Sequence, residues 1–161
     1  MLIVIYLLYV KLSETIHINR LLGGRHLFLL NKAEKSQKDA DPDAPSNSAF
    51  EKGEEALIKG DYTTALVKLI PLAMKGQAEA QFYLGIMHKE GQGFPVSDEN
   101  AYKWLTRSAE QGQGQAQLIL GMMYHFGSGV PENIETARKW YQLAADQGVE
   151  EAQGILEILT E

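Results

Sequence analysis

Residues 76–111, GQAEAQFYLGIMHKEGQGFPVSDENAYKWLTRSAEQ, and residues 112–147, GQGQAQLILGMMYHFGSGVPENIETARKWYQLAADQ, stand end to end and are identical at 16 of 36 positions. The residues Gly76, Ala80, Leu84, Gly85, Gly91, Pro95, Ala101, Trp104 and Ala109 recur as Gly112, Ala116, Leu120, Gly121, Gly127, Pro131, Ala137, Trp140 and Ala145. A fixed period of this length marks a repeat array, in which each unit is one supersecondary motif that buries its apolar face only by stacking on its neighbours. The pattern runs on into Gly148, Ala152 and Gln153, the counterparts of Gly112, Ala116 and Gln117, so a further copy begins near the C-terminus.

Each copy predicts two helices. In EAQFYLGIMHKE, Ala80, Tyr83, Leu84, Met87 and His88 recur at helical spacing, and Gly91 follows as a residue free to take positive φ and stop the helix. In SDENAYKWLTRSAEQG, Ser97 offers a capping hydroxyl, Ala101, Trp104, Leu105 and Ala109 face inward, and Gly112 closes the segment. The second copy keeps these devices, with Asn133 as the cap, Ala137 and Ala145 as the inward alanines, and Gly148 as the stop. Small residues at Ala80, Gly85, Ala101 and Ala109 let backbones approach, while Leu84 and Trp104 fill the space between them.

The preceding segment is a variant copy. Ala65, Leu69, Ala73 and Gly76 stand 36 before Ala101, Leu105, Ala109 and Gly112, but the loop between its two helices, IKGDY, is shorter. Pro71 removes a backbone donor inside its second helix and predicts a kink or a late start there. Helices are expected near 48–59, 62–75, 78–90, 98–111, 114–126, 133–147 and 150–159, with no strand.

The two 36-residue copies resemble Sel-one-like repeats (SLR), through Ala and Leu-Gly in the first helix, Gly-x-Gly-x-Pro in the loop, and Ala, Trp and Ala in the second. GEEALIKGDYTTA resembles the shorter tetratricopeptide repeat. Phe94, His88 and Leu105 depart from the SLR pattern at size-tolerant packing positions. The resemblance implies an all-α fold, a short right-handed α-solenoid of antiparallel helix pairs with copies at 48–77, 78–113 and 114–149 and a terminal helix at 150–161. It also implies a scaffold or adaptor for other proteins, with bacterial members often exported or envelope-associated.

Catalytic readings compete poorly with this one. GQGFPV (91–96) has two glycines of a phosphate-cradling loop, but Val96 stands where the third belongs, and its echo GSGVPE marks it as a chain reversal repeated with the period. Ser128 lacks the spacing of a nucleophile elbow. The histidines His17, His26, His88 and His125 have no HExxH spacing, and the chain has 0 Cys, so neither a metal site nor a cysteine nucleophile is expected. His88 is read as inward and His125 as exposed; Glu51, Glu54 and Glu55 are read as a solvated face, and Trp104 and Trp140 as core. No cofactor is expected.

Charge narrows the partner. The chain of 161 residues carries a net −6. Residues 1–47 hold 6 Lys/Arg and 5 Asp/Glu, which leaves 9 basic against 16 acidic side chains over 48–161. Nucleic acid needs a basic footprint and is excluded as the expected partner. Residues 1–47 combine the apolar MLIVIYLLYV, about half of the ~20 residues of a spanning helix, with the polar NKAEKSQKDADPDAPSNS, which has linker composition. An atypical export signal or anchor, an interfacial segment, and a start assigned upstream of the folded part all stand as readings. Membrane contact is expected only through residues 1–30, and an exported, periplasmic or membrane-associated location is favoured over the cytoplasm.

The tetratricopeptide pattern places a partner groove on the first helix of each pair, the A helix, on the concave side. Carried over, its residues are Phe50, Glu54 and Leu57, then Phe82, Ile86, Lys89 and Glu90, then Leu118, Met122, His125 and Phe126. The expected function is protein or peptide binding there. The alternatives are a hydrolase of β-lactam or peptidoglycan type, and a self-associating structural protein or homodimer.

Overall fold

The computed structural model describes residues 45–159, which form seven α-helices and no strand. They are α1 (Pro45–Lys59), α2 (Tyr62–Met74), α3 (Ala78–Glu90), α4 (Asp98–Glu110), α5 (Gly114–Phe126), α6 (Ile134–Asp146) and α7 (Glu150–Leu159). The expectations for the N-terminal apolar segment fall outside the described residues. Helix α1 begins at Pro45, ahead of the expected Ser48. Proline is tolerated at a first helical position because its missing N–H has no intrahelical acceptor there. No helix among the described residues is long and apolar enough to cross a membrane.

Local chemistry sets the boundaries. Ser97 and Asn133 hold extended backbone and accept at the side chain from the N–H groups of Asn100 and Thr136, at 3.2 and 2.8 Å. Asp61 does the same for α2, accepting from Thr64 at 3.0 Å. Helices α3 and α5 stop at Gly91 and Gly127, both left-handed, with φ of 70° and 68°. Pro71 lies inside α2 without ending it. The carbonyl that loses its helical donor there belongs to Val67, an exposed residue on the outer side of the helix, where such a loss is tolerated.

The helices pair as α1–α2, α3–α4 and α5–α6, each helix packs on the next in sequence, and the pairs stack as a short right-handed α-solenoid. Three apolar clusters run along it. The first joins Leu57, Leu69, Leu72, Leu84 and Met87, the second Phe82, Leu105, Leu120 and Met123, and the third Leu118, Tyr141, Val149 and Ala152. Each cluster joins one helix pair to the helix that follows it, which is how a repeat that cannot bury its own face becomes stable.

The recurring residues explain the close fit. Gly85 and Gly121 are the points of nearest approach: a Cβ on Gly85 would sit 2.6 Å from Leu105 Cγ, and one on Gly121 2.5 Å from the Tyr141 ring. The alanines of the second helices are core residues as expected. Ala101 and Ala109 are buried in the second cluster, and Ala137 and Ala145 are buried at the matching places in the third. Pro95 and Pro131 differ from the other recurring residues, because both lie exposed in the loops between paired helices and contribute to neither cluster. Their recurrence reflects the fixed φ of proline, which stiffens the approach to the next helix, and not packing. Trp104 and Trp140 are half-buried and reach back to the preceding cluster, with the Arg107 guanidinium 4.9 Å over the Trp104 ring. Gln81 and Gln117 are buried, and each donates its side-chain amide at 3.0 Å to a last-turn carbonyl of the helix before it, Ala73 and Ala109. These bonds join successive repeats by adding a side-chain donor to carbonyls that already accept from the N–H groups of Gly76 and Gly112.

Candidate functional site

The GQGFPV loop closes on itself. The N–H groups of Gly91 and Gln92 both donate to the Met87 carbonyl, and Ser97 N–H donates to His88 O at 2.9 Å. The second copy repeats this with Gly127 and Ser128 on Met123, and Asn133 on Tyr124 at 2.8 Å. A phosphate cradle presents free backbone donors, whereas the N–H groups of Gly91, Gln92 and Ser97 are engaged in ending one helix and starting the next.

The two described histidines serve packing. His88 stacks on Phe94 with ring centroids 4.0 Å apart, and its Nδ1 is buried without a hydrogen-bond partner. Burial holds its pKa below the ordinary 6.5. His125, read from sequence as exposed, is half-buried: it stacks on Phe126 at 4.6 Å, and its Nδ1 lies 3.2 Å from the Tyr141 hydroxyl. Its pKa is also lowered by burial, against a smaller opposing pull from Glu132. Burial pushes the Tyr141 hydroxyl up, the opposite of what activates a nucleophile. Among the described residues no three or more His, Asp or Glu side chains gather as a metal site would require.

The eleven residues expected to line the A-helix groove divide into three groups. Leu57, Phe82 and Leu118 are buried in the first, second and third clusters, so they are core rather than contact surface. The helical period assigns these positions to an outer edge, and the next helix pair then covers that edge. Glu54, read as solvated, is half-buried and accepts a hydrogen bond from the Tyr83 hydroxyl. Burial first, and then that carboxylate, push Tyr83 well above its ordinary range. Phe50 packs at 5.8 Å from the Tyr83 ring.

The third group faces solvent. Ile86 and Met122 are half-buried at equivalent positions of α3 and α5, and Phe126 is 42% exposed at the end of α5. Polar residues flank them: Lys89 pairs with Asp98 at 3.5 Å, Glu90 accepts from Gln92, and His125 lies beside Phe126. At the junction of α4 and α5, the Tyr102 and Tyr124 hydroxyls meet at 2.9 Å, and that bond raises the Tyr124 pKa to about 12. The resulting A-helix face is an apolar strip with a charged margin, the kind of surface on which a peptide or a helix can seat.

A family model described as the Sel1 repeat matches residues 78–113 and 114–149. No curated protein matched the sequence. Among solved structures, a Sel1 repeat protein from Oxalobacter formigenes is 32% identical over 69% of this chain and 46% of its own, with a TM-score of 0.67. A protective antigen of uropathogenic Escherichia coli strains displaying an SLR fold is 32% identical over 66% of this chain and 24% of its own, with a TM-score of 0.62. The chain thus spans less than half the length of either structure it resembles. Two tandem matches to the family model, the glycine and alanine approaches that build them, and the solenoid neighbours all agree: residues 78–149 are two tandem Sel1 repeats.

Proposed function

We propose that the protein is a non-catalytic scaffold that binds a protein or peptide partner along the A-helix face, the concave side of the solenoid. The observation that carries this reading is the strip of Ile86, Met122 and Phe126, which lies beside the polar margin of Lys89, Glu90 and His125. Apolar side chains held at equivalent positions of successive repeats make a continuous docking surface, and the polar margin supplies register. Sel1 repeats generally serve as interaction scaffolds, which agrees with a site that has shape and charge but no reactive group.

The test is capture by the full chain from native cells, compared with an Ile86→Ser, Met122→Ser, Phe126→Ser variant. These positions lie on the surface or half-buried, so helix content is expected to persist. Loss of specific captured proteins with retained circular dichroism supports the reading. Unchanged capture contradicts it.

A further inference from the structure

Helix α2 breaks a rule that the other second helices of the pairs keep. In register by 36 residues, the outer face of α4 carries Glu99, Lys103, Thr106, Arg107 and Glu110, and that of α6 carries Glu135, Lys139, Gln142, Leu143 and Asp146. All but the half-buried Thr106 are exposed, and Lys103 and Glu99 pair across one turn at 2.7 Å. These are solvated outer faces. The same positions on α2 are Thr63, Val67, Ile70, Pro71 and Met74, with no charge among them. Val67 is 63%, Ile70 38% and Met74 70% exposed.

The spacing of this stripe identifies its complement. Thr63, Val67, Ile70 and Met74 are separated by four, three and four residues, the a/d spacing by which one helix seats another, rather than the broad arc of a helix lying in a lipid interface. Three large side chains fall short of the ~800 Å² that each partner of a stable dimer buries. Charge points the same way. Lys68 and Lys75 lie to one side of the stripe, and no acidic residue occurs from Tyr62 to Gln77, whereas residues 78–161 hold 5 basic against 12 acidic side chains. A second copy would set Lys68 and Lys75 against their own kind. We infer that the outer face of α2 is a second docking seam, independent of the A-helix face, which takes an amphipathic helix with an apolar a/d stripe and acidic flanks.

The probe is a synthetic helical peptide of about 20 residues with Leu at a and d and Glu on the flanks, and its control carries Lys in place of Glu. Binding to the full chain is read by fluorescence anisotropy. The acidic peptide is expected to bind and the basic one to bind more weakly. Val67→Glu with Met74→Glu is expected to weaken the acidic peptide by about tenfold or more, and Lys68→Glu with Lys75→Glu to reverse the preference. The Ile86→Ser, Met122→Ser, Phe126→Ser variant is expected to bind as the parent does, which separates this seam from the A-helix face. The charge-reversal pair decides the matter if the double glutamate variant loses helix. Three results overturn the inference: no binding of the acidic peptide, binding indifferent to both α2 variants, or indifference to peptide charge. Two more would reassign the seam and equally overturn it. One is a dimer in sedimentation velocity that Val67→Glu abolishes; the other is flotation with phosphatidylcholine–phosphatidylglycerol vesicles that Val67→Glu abolishes.

Discussion

Gly121 faces the Tyr141 ring with no room for a methyl group, and Tyr141 is itself fully buried. A rigid ring cannot swing aside as a Leu tip can, so Gly121→Ala is expected to destabilise by about 1–3 kcal/mol through overpacking. Gly85→Ala, which meets the more yielding Leu105, should cost less; chemical denaturation of the two variants checks the order. His88 gives a second test. Its folded pKa is held below 6.5, so above that pH both states are neutral and its contribution is complete. As pH falls below 6.5, the unfolded chain takes up a proton that the folded one resists, and stability is lost. His88→Phe keeps the stack on Phe94 and should make the decline in melting temperature between about pH 7.5 and about pH 5 shallower; an unchanged slope would place the titration elsewhere. The paired glycines were legible in sequence as repeat marks. The half-buried state of His125 was not, because it depends on Tyr141, which belongs to the next helix.

At the scale of the element, sequence and structure agree closely, because several helices are bounded by capping side chains or left-handed glycines whose role is readable from their chemistry. Ser97→Ala and Asn133→Ala each remove an oxygen that satisfies an orphan N–H, and each is expected to cost about 1 kcal/mol in thermal or chemical unfolding. Full stability in both variants would mean that water replaces the cap. Recurrence in sequence also does not tell packing from chain direction. Ala137 and Ala145 recur because they are buried, and Pro131 recurs in an exposed loop. What periodicity could not resolve is which helix edges are covered. Phe82 and Leu118 share a repeat position, and a helical wheel places both near solvent. Each is buried because the fold brings neighbouring helices over it. The apolar character of the α2 stripe is legible in sequence, since the polar and charged positions of α4 and α6 are Val67, Ile70 and Met74 in α2, whereas its exposure depends on what the stack leaves uncovered.

Across the described residues, three helix pairs and α7 form a stack whose stability resides in contacts between neighbours. Tandem repeats give such a stack equivalent residues at regular intervals, and function then lies in the places where equivalent positions differ. Ile86 and Met122 keep an apolar character along the A-helix face, while Glu54 at the same position of the first pair is taken up by Tyr83. The solenoid was legible because a 36-residue period constrains many positions together; the surface was less so, because exposure is a property of the assembled stack. A partner seated along the A-helix face would be trapped by a photo-crosslinking amino acid at position 126, with position 143 on the outer side of α6 as the comparison, in the full chain within native cells. A discrete crosslinked partner is expected from position 126 and absent from position 143. No adduct from position 126, or the same adduct from both, would contradict this reading.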